Sequence, residues 1–143
     1  MTFSDAFINS FIDTVVTHGR SLYRDFAWRR TNDPYAVLVS EVMLQQTQTA
    51  RVERYYDVWM HHFPTIDALA AASTADVLAV WQGLGYNRRA LALKRTASLV
   101  AKEYGGILPE SAAALQSLPG IGSATAAGVL AFAYNRPAVY LET

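Results

Sequence analysis

The chain of 143 residues contains no cysteine. That excludes disulfides, thiolate zinc sites and cysteine-held iron–sulfur clusters within it. Charge is sparse: 17% of residues are charged and the formal net charge is zero, against about a quarter charged in an average globular protein. No apolar run approaches the roughly 20 residues of a membrane span. The opening "MTFSDAFINSFIDTVV" carries Asp5 and Asp13, so it lacks the basic start and unbroken apolar core of a signal peptide. Strand-like alternation is nearly absent, and there is no repeat or low-complexity tract. What is present is apolar mass. At 52% hydrophobic, the chain can bury a core of its own. A compact all-α protein of intracellular location is the expectation.

The neutral total hides an uneven layout. Trp81 to Lys102 holds Arg88, Arg89, Lys94, Arg95 and Lys102 with no acidic residue. Arg20, Arg24, Arg29 and Arg30 form a second group, offset by Asp25. Ser111 to Asn135 carries no charge. A nucleic-acid protein usually has a basic excess, so any such role here depends on local patches or main-chain donors.

Helical punctuation runs along the chain. Phe7, Ile8, Phe11, Ile12, Val15 and Val16 fall on one face of a helix from Ser4 to Thr17, with Gly19 as its stop. "RSLYRDFAWRRTN" reads as a loop. Asp33 and Pro34 open a helix through "AVLVSEVMLQQ". "TQTARVERYYDVWMHHF" is another, stopped by Pro64. Thr65 and Ser73 cap two short helices. "YNRRALALKRTASLVAKEY" is a long helix closed by Gly105 and Gly106, with Arg88, Arg95 and Lys102 on one face. "ESAAALQSL" and "SATAAGVLAFAY" flank a tight "PGIG".

Three stretches carry candidate chemistry. In "LPGIG", Gly120 and Gly122 permit backbone angles closed to other residues, and Ser123 opens the next helix. Exposed amides at such a start can hold a phosphate; an ordinary helix–turn–helix connection fits the local pattern equally. "GLGYNRR" is either a plain loop with solvated arginines or a loop presenting Leu84 and Tyr86 as wedges between bases. In "SEVMLQQTQ", Glu41 stands before an apolar run, an odd place for a core or an evenly charged surface helix, yet on local pattern alone a helix-surface glutamate fits it better than a catalytic one. The adjacent His61 and His62 do not share a helix face and read as surface residues, with no metal site.

"SEVMLQQTQ", "GLGYNRRA" and "LPGIGSATAAGVL", in this order and at these separations, resemble the helix–hairpin–helix DNA glycosylases, the HhH-GPD superfamily. Within it they look most like the MutY-like branch of A/G-specific adenine glycosylases, which act on adenine opposite 8-oxoguanine or guanine. The likeness covers roughly Asp33 to Thr143. "LQQTQ" (Leu44 to Gln48) separates the chain from the endonuclease III branch. Ala124 stands where bifunctional relatives carry a lyase lysine, and alanine cannot form a Schiff base.

The resemblance implies a monofunctional base-excision-repair glycosylase. Its partner would be double-stranded DNA holding a mismatched or damaged base. The protein would be a monomer in the cytoplasm, associated with the nucleoid. Glu41 matches the glutamate that enters the base pocket. Adenine leaves only once a ring nitrogen is protonated, and a carboxylic acid held partly away from water can donate that proton. The sugar becomes oxocarbenium-like, and a second carboxylate stabilises it or guides water. Relatives place an aspartate there; here the matching residue is Glu142 in "YLET".

By the same resemblance, Gln45, Gln46 and Gln48 contact bases around the lesion. Leu84, Gly85 and Tyr86 belong to the intercalating loop, with Arg88 and Arg89 beside it. Leu118, Gly120, Ile121, Gly122, Ser123 and Thr125 form the hairpin's DNA contacts. The expected organisation is an N-terminal helix and loop over 1–30, belonging to a second lobe. A six-helix lobe over 31–143 follows, with the hairpin at about 111–134. That second lobe is incomplete, so the apolar stripe of the first helix lacks its full partner, and the chain reads as a fragment. Many relatives hold a four-cysteine iron–sulfur cluster in the continuation, and this chain has no cysteine for one. Two other readings stay open: the same fold acting on another mismatched or damaged base, and a catalytically incomplete DNA-binding fragment.

Overall fold

The computed structural model describes residues 2–139, and those residues contain helices and no strand. The elements are α1 (Asp5–Ser21), a 3-10 turn (Ala27–Arg29), α2 (Pro34–Leu44), α3 (Thr49–His62), α4 (Ile66–Ala71), α5 (Thr74–Trp81), α6 (Arg88–Glu103), α7 (Ala112–Gln116) and α8 (Ser123–Phe132).

Helix α2 is the axle. The Asp33 carboxylate accepts a hydrogen bond from the Tyr35 amide, and Pro34 fills the first helical position. Tyr35 to Ser40, Val42 and Met43 are all buried, so α2 is covered nearly all round. It packs against α3, α6, α8 and the 3-10 turn, while α6 also supports α4 and α5. The core is anchored by aromatic side chains whose polar ends are satisfied. Trp59 meets Trp81 edge-on at 5.4 Å. Its indole donates to the Tyr35 hydroxyl at 3.2 Å, and that hydroxyl donates to the Phe63 carbonyl at 2.8 Å. The C-terminus of α6 closes on Gly105 and Gly106, both left-handed, and the amides of Tyr104 and Gly106 both donate to the Val100 carbonyl at 3.0 Å.

Two expectations need correction. Gly19 does not stop α1; the helix runs on to Ser21, and the Leu22 amide bonds the His18 and Arg20 carbonyls. A glycine ends a helix by adopting a left-handed conformation, and Gly19 is not among the left-handed glycines. The stretch expected to be a loop also contributes to the core: Phe26 and Trp28 are buried and stacked at 4.6 Å. The apolar stripe of α1 is solvent-facing. No residue of α1 is buried, and Phe7, Phe11 and Val15 are each more than half exposed.

Candidate active site

Glu41 is half-buried on the face of α2 turned to α8. It lines a cleft of about 580 Å³ with Tyr23, Trp28, Arg29, Leu44 and Phe132. The lining is mixed: Leu22, Trp28, Val37, Leu44 and Phe132 give apolar surface, and Tyr23, Arg29, Thr31 and Ser40 give polar groups. Arg29 is held in place: it donates to the Arg24 carbonyl at 2.9 Å and lies over the rings of Tyr23 and Phe26. Opposite the carboxylate, α8 presents Gly128, whose missing side chain leaves the space that the Glu41 carboxylate uses. Glu142, the second carboxylate expected from the sequence, lies outside the described residues.

The α2 C-terminus turns sharply after Leu44. Gln45 is half-buried and donates through Nε2 to the Thr125 hydroxyl at 3.0 Å, which ties this turn to α8. Gln46 and Gln48 are exposed, and Gln46 holds a left-handed backbone with φ of 54°. These glutamines therefore divide: one braces the site, and two face solvent where a duplex could reach them.

In the loop between α5 and α6, the two expected wedges also divide. Tyr86 is 56% exposed, with φ of 49°, and stands beside the Arg88 guanidinium. Leu84 is 3% exposed and belongs to the core. The expected wedge role of Leu84 would therefore require the loop to rearrange on binding, whereas Tyr86 is already exposed. The exposed Gly85 offers its carbonyl inward, to the Trp81 indole at 2.8 Å.

Arg88, Arg95 and Lys102, which their spacing puts on one face of α6, are exposed. Arg89 is corrected. It is 7% exposed, and its guanidinium is spent on main-chain carbonyls rather than offered to a phosphate. Burial pushes its pKa down from the ordinary arginine value.

The hairpin spans the turn between α7 and α8. Gly120 has φ of 75°, and a Cβ there would sit 2.7 Å from the Ala92 Cβ, so glycine is needed for both conformation and close approach to α6. The Thr96 hydroxyl donates to the Pro119 carbonyl at 2.9 Å and fastens the turn to α6. Gly122 does not need to be glycine for its backbone: its φ of −86° and ψ of −178° are extended and open to any residue. Gly122 and Ser123 are exposed at the start of α8. Leu118, Ile121 and Thr125 are buried. Leu118 and Ile121 anchor the turn, and the Thr125 side chain is engaged by Gln45 and not by solvent. A contact from these three to DNA would have to come from the main chain.

The sequence reading did not find Gly128 or the inward role of Arg89. Gly128 left one signal, a glycine inside a helix that alanine would favour by about 1 kcal/mol. Among the described residues no group of three or more histidine, aspartate or glutamate side chains could hold a metal ion. No helix among them is long and apolar enough to cross a membrane.

Residues 39–142 match the family model of the HhH-GPD superfamily base excision DNA repair proteins. The chain belongs to that superfamily. Over 122 residues it is 43% identical to the adenine DNA glycosylase of Mycobacterium tuberculosis, covering 85% of this chain and 40% of that protein. The human adenine DNA glycosylase is 44% identical over 122 residues, 79% of this chain and 22% of the human one. The chain thus spans less than half the length of either. A thymine/uracil-DNA glycosylase of Methanothermobacter thermautotrophicus is 31% identical over 133 residues and 60% covered. Among solved structures, a thermostable thymine-DNA glycosylase superposes with a TM-score of 0.84 at 31% identity, over 90% of this chain and 59% of that one. An endonuclease III trapped on DNA gives the same TM-score at 20% identity, over 99% of this chain and 66% of that one, a likeness of fold.

Proposed function

We propose that the protein is a monofunctional DNA glycosylase that hydrolyses the N-glycosidic bond of adenine mispaired with 8-oxoguanine or guanine in double-stranded DNA. The observation that carries the proposal is Glu41, a half-buried carboxylate in a cleft of mixed polar and apolar lining, given room by Gly128. The superfamily and the adenine DNA glycosylases among the relatives support the choice of base.

In this mechanism the adenine nucleotide leaves the stack and enters the cleft, at a cost of a few kcal/mol. The exposed Tyr86 fills part of the gap it leaves. The Glu41 carboxyl gives its proton to a ring nitrogen of the base. The C–N bond breaks with its electron pair leaving on adenine, and the sugar becomes an oxocarbenium ion. Water adds to the anomeric carbon and loses a proton, which leaves an abasic site and free adenine. Glu142 is assigned the stabilising carboxylate through its match to the family pattern. Ala124 supports the hydrolytic course, since it offers no amine to attack the sugar. Gln46, Gln48, Arg88 and the amides of Gly122 and Ser123 supply the duplex contacts.

The test is single-turnover base release from a duplex with adenine opposite 8-oxoguanine, run on the full-length protein and on Glu41→Gln. Release by the first and none by the second, with duplex binding kept, is the expected result. A second reading keeps the fold and changes the base to a mismatched thymine or uracil. The thymine/uracil-DNA glycosylase among the relatives favours it. Release of thymine or uracil, and none of adenine, would establish that alternative instead.

A further inference from the structure

One guanidinium joins the two loops that the proposed function sends to the DNA. Arg89 Nη1 donates to the carbonyls of Val42 and Met43, each at 3.1 Å, and to that of Gln45. These belong to the last turn of α2 and the residue that caps it. Arg89 Nη2 donates to the Thr47 hydroxyl at 3.1 Å, to the Leu84 carbonyl at 3.1 Å and to the Gly85 carbonyl at 3.3 Å. The cation also lies over the rings of Trp81, at 5.2 Å, and Tyr86, at 5.5 Å. Its acceptors therefore come from both sides, residues 42–47 and residues 84–85.

We propose that Arg89 is a positioning residue that makes the Gln45–Gln48 turn and the Leu84–Asn87 loop one rigid unit, so that base reading and wedge insertion occur in register. The charge sits where the carbonyls at the end of α2 concentrate negative potential. Only a planar fork with several donors can span such a set of acceptors; a lysine ammonium is a compact point charge. The backbone supports the same view. Gln46 and Tyr86 are both non-glycine residues in the left-handed region, one in each loop, within a few residues of the clamp. Such conformations persist where the surroundings over-determine them. Beyond the loops, the Gln45 side chain passes the connection on to Thr125 of α8, so the three sequence motifs are bonded in series.

The functional half of this inference rests on the glycosylase reading; the structural half does not. The experiment is amide hydrogen exchange, paired with duplex binding and base release, on the full-length protein, Arg89→Lys and Thr47→Val. Arg89→Lys should lower protection in 45–48 and 84–87 together, with α4 unchanged. It should also reduce the preference for a mismatched over a matched duplex by about tenfold or more, and release by up to about a hundredfold, as misplacement by an ångström can. Thr47→Val, which removes one acceptor outside the core, should move the same readouts in the same direction by less. Uniform loss of protection across the chain would reduce Arg89 to a core residue and overturn the proposal. So would loss in one segment alone, or a wild-type result from Arg89→Lys. If the unaltered protein releases no base while the two segments still loosen together, the glycosylase reading falls and the clamp stands.

Discussion

Gly128 on α8 confronts Glu41 on α2 so closely that a Cβ on the glycine would lie 2.4 Å from Glu41 Oε2 and 2.6 Å from its Cδ. The clash would fall on the far end of a flexible side chain. Gly128→Ala should therefore displace the carboxylate rather than unfold the protein. Helix propensity favours alanine there by about 1 kcal/mol, which offsets part of any strain. The expected outcome is base release slower by about a hundredfold with a melting temperature within a few degrees of the original. Loss of folding with full activity per folded molecule would contradict it.

Leu84 and Tyr86 are two residues apart, and their substitutions should separate stability from activity. Leu84 is 3% exposed, so Leu84→Ala should cost about 2–5 kcal/mol of stability in a denaturant titration. Tyr86 is 56% exposed, so Tyr86→Ala should cost under about 1 kcal/mol and slow base release in the single-turnover assay. The reverse pattern would return the wedge role to Leu84.

Thr125 tests the bridge between α2 and α8. Thr125→Val keeps the shape and removes the acceptor for Gln45 Nε2. One such hydrogen bond is worth about 1 kcal/mol. Stability should fall by about that amount, and binding to the mismatched duplex should weaken about fivefold. Unchanged binding with the amide reoriented would show that Gln45 needs no brace.

Alkaline pH should loosen the core through two phenols. Burial pushes Tyr56 from 10.0 up to about 12, and burial likewise raises Tyr35. A folded-state pKa above the unfolded one means the folded state binds more protons, so stability is fully present below pH 10 and falls as pH rises toward about 12. Thermal melts against pH should be flat on this account below about pH 9 and decline above 10. Tyr35→Phe should flatten that decline while losing the hydrogen bonds to Trp59 and Phe63.

Much of the helical order was legible locally, because caps and stops are encoded within a turn of where they act. Asp33, Thr65, Ser73 and Gly105-Gly106 mark helix ends that the structure reproduces. Gly19 misled, since a glycine can sit inside a helix as well as end one. The α1 stripe was also legible, and the structure leaves it uncovered among the described residues.

The sequence by itself determined the helical class, the superfamily and the three stretches to watch, because periodicity, capping and motif order are one-dimensional signals. Which residues within those stretches face outward was decided only by the tertiary structure. Arg88 and Arg89 are neighbours of one type, yet successive helix positions point about 100° apart, and the packing of α6 on α2 buries one and exposes the other. Leu84 and Tyr86 part for a similar reason, as the loop folds Leu84 under itself. Gly128 acquires its meaning only when α8 lies against α2, since the space it leaves belongs to a residue 87 positions earlier in the chain. Burial depends on long-range contact, and no local pattern carries it.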